Sequence, residues 1–256
     1  MTHQVKKAVC SVCMKDLDRS VPIDAEEITC FFCCQIRGDP IEIAKKYSKG
    51  GRARLQCTVD AIRSANHLKL DGDFVEYGVW MGGHVMLARM LSPDRRCWLY
   101  DTFEGMPPPG PHDIKHNKPG DNPYRASAHM ARKNGLPMSR APIDQVMDAF
   151  RSEGLMDDKK MRFVPGLVEA TLLMPENLPD KISVLRLDTD WHDSTKMELE
   201  VLYPRLQRGG YLIIDDFGHW EGARKATKDY FAAHKMDFGR LRHVDYTCVY
   251  WIKGET

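Results

Sequence analysis

The chain has 256 residues and a formal net charge of +1, which predicts one large domain or one domain with a small appendage. The balanced charge gives no electrostatic reason to expect binding to nucleic acid or to an anionic membrane. No apolar stretch of the sequence approaches the length of a membrane span, and the N-terminus lacks the apolar core of a signal peptide. We therefore expect a soluble, cytoplasmic protein.

The N-terminal segment is rich in cysteine. Two Cys-x2-Cys pairs are separated by residues 14–29, a spacing typical of a four-thiolate zinc site, and their members are Cys10, Cys13, Cys30 and Cys33. Cys34 is an alternative to Cys33 as fourth ligand, and an iron–sulfur cluster or free thiols are the other interpretations. In a reducing compartment zinc explains the pattern better than disulfides do. We predict a zinc-ribbon-like segment over residues 1–39 that caps the domain at 40–256 or contacts a protein; binding of nucleic acid is less favoured.

Residues 40–70 are predicted to be helical, with a break at Gly50–Gly51. A strand at Asp73–Gly78 and a helix at Gly83–Leu91 follow. An acidic residue in this strand, Glu76, precedes the glycines of the turn and suits a cationic or amine-bearing ligand.

The glycine-rich turn contains Gly78 and Gly82, which let the backbone approach a ligand closely. The glycine spacing is not that of the dinucleotide-binding fingerprint, which argues against a nicotinamide cofactor. The next strand, Arg96–Tyr100, ends at Asp101, where an acid is well placed to bind both hydroxyls of a ribose. Together these signals predict a cofactor that contains a nucleoside.

Residues 106–123 form a proline-rich stretch directly after the strand on the cofactor side. Long irregular segments at such places are commonly lids or binding loops. His112 and His116 in this loop are candidate catalytic residues, although a loop histidine is more often incidental.

The second half of the chain predicts a strand, a helix and another strand at Ile182–Leu187, Ser194–Gln207 and Tyr211–Ile214. Thr195 and Glu198 have the spacing of a capping box, and Gly209–Gly210 is expected to end the helix. The other predicted elements are helices at Pro142–Gly154 and Glu221–His234, a strand at Arg162–Pro165, and an antiparallel pair at Arg240–Val244 and Tyr246–Lys253. This order predicts an α/β fold with a doubly wound, mostly parallel sheet and an antiparallel C-terminal edge.

Aspartates follow both strands of the central strand–helix–strand unit. Asp188, Asp190 and Asp193 come after the first strand, and Asp215 and Asp216 after the second. Because parallel strands end at the same edge of a sheet, these carboxylates should converge there, and like charges so placed favour a divalent cation with oxygen ligands. The alternative is that they cap helices and turns, and for Asp193 both interpretations stand.

The ordered motifs resemble the macrocin O-methyltransferase (TylF-type) family of sugar O-methyltransferases. The stretches that carry the resemblance are FVEYGVWMGG, LYDTFEGMPPP, FVPGLVEATL, LRLDTDWHDST and LEVLYPRLQRGGYLIIDDFGHWEGARKA, within about residues 70–235. The resemblance implies a class I, Rossmann-like methyltransferase fold, S-adenosylmethionine as methyl donor, and magnesium bound by Asp188, Asp215 and Asp216. The cofactor residues are accordingly expected at Glu76, Gly78, Gly82, Asp101, Thr102 and Phe103.

The resemblance also implies the reaction, in which a base removes a proton from a sugar hydroxyl of a small-molecule acceptor. Asp190 and His192 are the candidate bases, and Asp190 is preferred because the family motif carries an acid there. His192 stands where the family usually has tyrosine, and Thr189 where it usually has glycine. The alternatives are a nucleic-acid- or protein-directed methyltransferase guided by the zinc ribbon, or a metal-dependent hydrolase. A homo-oligomer is compatible with the sequence.

Overall fold

The computed structural model describes residues 5–9, 16–22, 39–115, 124–125, 132–133 and 136–255. Its strands, in chain order, are β1 Val5–Val9, β2 Asp16–Pro22, β3 Asp73–Tyr77, β4 Cys97–Asp101, β5 Ile114–Lys115, β6 Tyr124–Arg125, β7 Arg132–Lys133, β8 Leu136–Pro137, β9 Met161–Pro165, β10 Ile182–Leu187, β11 Leu206–Ile214, β12 Arg242–His243 and β13 Val249–Ile252. Its α-helices are Pro40–Lys45, Arg52–His67, Gly83–Leu91, Ile143–Ser152, Val168–Thr171, His192–Leu202 and Glu221–Ala233.

The main sheet has seven strands in the order β12-β13-β11-β10-β3-β4-β9. The five strands from β11 to β9 are parallel to one another, whereas β13 pairs antiparallel with β11 and β12 pairs antiparallel with β13. The prediction of a mostly parallel sheet with an antiparallel C-terminal edge is therefore confirmed. The chain runs outward from β3 to β9 and then returns to β10 on the other side of β3. A crevice forms at the carboxyl ends of strands where the order reverses in this way.

Helices cover both faces of this sheet, which explains why its strands read as apolar runs without alternation. Phe74, Leu99 and Val184 pack on one face, and their neighbours Val75 and Leu185 pack on the other. The first face is covered mainly by the helices Arg52–His67, Gly83–Leu91 and Ile143–Ser152, and the second by His192–Leu202 and Glu221–Ala233.

The capping box predicted for the central helix is wrong. The helix begins at His192, its N-cap is Trp191, and no side chain caps it. Glu198 is buried and accepts a hydrogen bond from Thr189, so it does not reach back to Thr195. Because the helix starts earlier, Thr195 already lies within it.

The predicted end of the same helix is also wrong. The helix stops at Leu202, and a single 3-10 turn, Tyr203–Arg205, leads directly into β11. Pro204 has no backbone N–H to donate to a continued helix. Gly209–Gly210 consequently lies inside the strand, which begins at Leu206 rather than Tyr211.

In the N-terminal segment, β1 and β2 form an antiparallel pair. The predicted zinc ligands Cys10, Cys13, Cys30 and Cys33 lie outside the described residues, as does Cys34. The zinc site therefore stays a prediction. Within the described parts of the chain, no helix combines the length and the apolar character needed to cross a bilayer.

Candidate active site

A cavity of about 850 Å³ opens at the carboxyl ends of the parallel strands, where the sheet order reverses. It brings together most of the residues predicted from the sequence: Glu76, Gly78, Asp101, Thr102, Asp188, Asp190, Asp215 and Asp216 all line it. Gly82, Phe103 and His192 are not among the residues that line it.

Gly78 directly follows β3 and lies against Asp188, which directly follows β10. Its φ is 82°, and a Cβ there would lie 1.9 Å from the carbonyl oxygen of Asp188. Only glycine permits both this conformation and this approach. Glycine at this position therefore lets the end of β3 lie directly against Asp188.

Asp101 ends β4 as predicted. Its two carboxylate oxygens accept hydrogen bonds from the backbone N–H of Trp80, at 2.9 Å, and of Phe103, at 2.8 Å. Burial raises the pKa of Asp101. Phe103 thus contributes its backbone, while its side chain lies in the core. Gly82 has a packing role, because a Cβ there would lie 2.5 Å from the ring of Phe150.

Asp188, Asp215 and Asp216 form a carboxylate triad whose ligand atoms lie within 4.8 Å of one another. The sheet itself holds the triad, since the N–H of Asp188 donates to Tyr77 and that of Asp215 donates to Leu187, each at 2.9 Å. Burial and the charges of Asp190 and Asp215 raise the pKa of Asp216 well above its ordinary value. Carboxyl groups this close share either a proton or a cation, so the donor set fits a hard divalent ion.

A buried guanidinium that the sequence analysis did not single out organises the triad. Arg186 is fully buried in β10, and its donors bind Glu76 at 2.9 Å, Asp188 at 2.8 Å, and Asp215. Asp215 also accepts from Arg54 at 2.7 Å, so both of its oxygens are engaged. The available signal was a charged residue, Arg186, inside the strand ISVLRL, whose other residues are apolar except Ser183.

Glu76 keeps one oxygen free for a ligand. Its Oε2 is buried and has no hydrogen-bond partner among the described residues, although the cavity lies beside it. Burial raises the pKa of Glu76 to about 8, and the charge of Arg186 acts against this increase. A buried acceptor without a partner costs free energy unless a donor reaches it, so Glu76 fits an amine-bearing ligand.

The two candidate bases are in different surroundings. Asp190 has a φ of 65° and faces the cavity, and burial raises its pKa to about 7. The Nδ1 of His192 lies 2.7 Å from a carboxylate oxygen of Asp193, and its ring lies 4.5 Å from that of His112. The geometry therefore directs Asp190, and not His192, toward the carboxylate triad.

The first part of the predicted lid is fastened to the start of the central helix. Asp113 is buried and accepts hydrogen bonds from the N–H of His192, at 2.8 Å, and of Gly110, at 2.6 Å. The indole Nε1 of Trp191 donates to the carbonyl of Pro107 at 3.0 Å. No sequence pattern points to Asp113, because its role depends on the helix start at His192, and a carboxylate is favourable at a helix N-terminus. His116 lies outside the described residues.

The sequence profile of the Macrocin-O-methyltransferase (TylF) family matches residues 39–253. The chain belongs to this family.

Individual relatives agree with this assignment. A Streptomyces olivaceus 8-demethyl-8-(2,3-dimethoxy-alpha-L-rhamnosyl)-tetracenomycin-C 4'-O-methyltransferase is 36% identical over 70% of this chain and 65% of its own length, so the chain spans less than two thirds of that relative. A demethyldecarbamoylnovobiocin O-methyltransferase of Streptomyces niveus is 33% identical over 77% of this chain and 70% of its own. A mycinamicin III 3''-O-methyltransferase of Micromonospora griseorubida is 32% identical over 78% and 76%.

Solved structures agree on the fold. The O-methyltransferase NovP superposes with a TM-score of 0.69 at 30% identity, covering 82% of this chain and 83% of that one. The calicheamicin methyltransferase CalS11 shares the fold alone, with a TM-score of 0.58 at 17% identity over 91% of this chain and 100% of that one.

In this member of the TylF family, Lys49 lines the cavity together with Ser139 and Trp80. Its Nζ donates to Ser139 at 2.7 Å and lies 4.8 Å from the centre of the Trp80 ring. Burial lowers the pKa of Lys49, while the charges of Asp190, Asp188 and Asp101 act in the opposite direction. Lys49 therefore lines the cavity within electrostatic range of Asp190, Asp188 and Asp101.

Proposed function

We propose that this O-methyltransferase transfers a methyl group from S-adenosylmethionine to a hydroxyl of a sugar in a glycosylated metabolite, with a divalent cation, magnesium, at the carboxylate triad. The observation that carries the proposal is the shared cavity: the triad of Asp188, Asp215 and Asp216 and the cofactor acids Glu76 and Asp101 line one space. The names of the three relatives support a sugar-bearing natural product as the acceptor.

We infer that S-adenosylmethionine binds beside Glu76 and Asp101, and the hydrogen-bonding groups of this part of the cavity support the inference. Glu76 has a free, buried oxygen for the amine of the methionine part. Asp101 is held rigidly by two backbone N–H groups, and its remaining lone pairs suit the ribose hydroxyls. Gly78 lets the backbone pass close to this ligand.

Asp190 is proposed to accept the proton of the acceptor hydroxyl. It lies in the cavity beside the triad, and its carboxylate is hydrogen-bonded to Asp216. The donor supplies an activated methyl group, and a divalent cation, when bound, stabilises negative charge on the acceptor oxygen. The residues of this chain must then align donor and acceptor, and the C–S bond breaks as the C–O bond forms. A hydrolase would leave Glu76 and Asp101 without a role.

The test uses Asp188→Asn and Asp190→Asn, with the exposed Asp148→Asn as control. Both site variants should lose turnover while S-adenosylmethionine binding, measured by calorimetry, stays close to wild type. Excess chelator should stop the wild-type enzyme, and magnesium should restore it. Full turnover of Asp188→Asn, or full turnover in chelator, contradicts the proposed metal dependence.

The N-terminal segment is proposed to bind zinc through Cys10, Cys13, Cys30 and Cys33, with a structural role. The support for this is the paired Cys-x2-Cys spacing alone.

A further inference from the structure

Glu198 is a buried acid whose presence the proposed reaction does not explain. It lies on the helix His192–Leu202 with a side chain that is fully buried. Its Oε2 accepts a hydrogen bond from the hydroxyl of Thr189 at 3.1 Å, and its Oε1 has no partner among the described residues. No ion pair to Glu198 occurs within the part of the chain that the structure describes.

Such a residue is costly for folding. Burial, with the charges of Asp188 and Glu169 acting in the same direction, raises the pKa of Glu198 well above its ordinary value. An apolar side chain of similar size would avoid the desolvation of this group and its unsatisfied oxygen. What Glu198 provides, and an apolar side chain would not, is its hydrogen bond with Thr189.

That contact is to a strained turn. The N–H of Trp191 donates to the carbonyl of Thr189 at 2.7 Å, and the residue between them, Asp190, has a φ of 65°. A three-residue turn with a non-glycine residue at positive φ is rare and persists only where its surroundings hold it.

Both ends of this turn are held. On one side the indole of Trp191 donates to Pro107. On the other side the hydroxyl of Thr189 donates to Glu198, which projects from the helix that follows the turn. Without the second contact, Thr189 would have no described side-chain hydrogen bond, and no side chain would hold the Thr189 end of the turn.

We propose that Glu198 is a positioning residue, which acts through Thr189 to keep the strained turn in the conformation that points Asp190 into the cavity. This rests on the proposed function, in which Asp190 is the base. Glu198 itself is not among the residues that line the cavity, so its proposed action is indirect.

The experiment compares Thr189→Val and Glu198→Leu, which remove the donor and the acceptor while preserving size. Glu198→Gln keeps an acceptor oxygen, and Glu200→Gln, an exposed position on the same helix, is the control. Thr189→Val and Glu198→Leu should each lower kcat by about 10- to 100-fold, because small displacements of a reacting group have effects of that order. The Kd for S-adenosylmethionine should stay unchanged, and Glu198→Gln should retain most of the activity.

The double variant Thr189→Val/Glu198→Leu should be no slower than either single variant, since both remove one contact. A wild-type kcat for Thr189→Val overturns the proposal, and so does a multiplicative loss in the double variant. If Glu198→Leu fails to fold, the kcat values of Thr189→Val and Glu198→Gln still test the proposal. Full activity of Asp190→Asn refutes the proposed base, whereas loss in Asp190→Asn with full activity in Thr189→Val refutes only the role of Glu198.

Discussion

Replacing Arg186 by methionine should destabilise the protein by about 3–5 kcal/mol, the range expected when one partner of a buried ion pair is removed. The three acids that Arg186 binds are affected unequally. Asp215 keeps Arg54, and the side chain of Asp188 is 28% exposed and can turn to water. Glu76 is 1% exposed, and Arg186 is its only hydrogen-bond partner among the described residues. Above about pH 8, where Glu76 is ionised beside Arg186, most of the loss should therefore come from Glu76.

The free energy of unfolding is measured by urea unfolding followed by tryptophan fluorescence. In a thermal melt, the same loss of stability should lower the Tm by about 6–20 °C for a domain of this size. Arg151→Met removes an exposed ion pair with Asp148 and should change stability by less than about 0.5 kcal/mol. Adding Glu76→Gln to Arg186→Met should recover part of the loss.

The loss should also depend on pH. The pKa of Glu76 is about 8 beside Arg186 and should rise further without it. An acid with a raised folded-state pKa binds its proton more tightly when folded, so stability falls as pH rises toward that pKa. The deficit of Arg186→Met should therefore increase above about pH 8. A deficit below about 1 kcal/mol at pH 9 would refute the view that Arg186 neutralises buried carboxylates.

Three further predictions follow from single sites. Asp101→Ala should weaken S-adenosylmethionine binding by about 1–3 kcal/mol in calorimetry, and wild-type affinity would contradict its assignment to the ribose. Gly78→Ala should lower the denaturation midpoint much more than Gly154→Ala, because both have positive φ but only Gly78 would force a Cβ against the backbone of Asp188. Equal decreases in the midpoint for Gly78→Ala and Gly154→Ala would mean that the positive φ, and not the close approach to Asp188, determines the loss of stability. Protein purified without chelator should contain one zinc per chain, and Cys10→Ser should lower both the zinc content and the Tm; metal analysis without zinc would exclude the site.

The sequence was sufficient for features that depend on local pattern. The apolar runs ending in Asp188 and Asp215 predicted adjacent parallel strands, because buried strands and their carboxyl-end acids have a recognisable order. The helix at Gly83–Leu91 and the acid at the end of β4 were predicted by the same reasoning, and the structure has both. Each of these inferences uses residues that are close in the sequence.

The features that were missed depend on contacts between distant segments. Lys49 and Asp113 look like ordinary surface charges until the fold places Ser139 and His192 beside them. Glu198 fitted a capping box by spacing, yet the true helix start turned it toward the sheet and Thr189. Spacing alone cannot distinguish a side chain that faces its own helix terminus from one that faces the next layer.

The two ion pairs of Arg54 have a consequence for how the chain is made. Arg54 lies 161 residues before Asp215 and 191 residues before Asp245, and it binds both. During synthesis the helix Arg52–His67 therefore emerges from the ribosome long before either partner exists. Contacts between such distant residues form late in folding, because the chain must close a long loop to make them. The two ion pairs of Arg54 cannot both form until the chain has been made as far as Asp245, and a chain released before that residue would lack one of the two acids that hold Arg54.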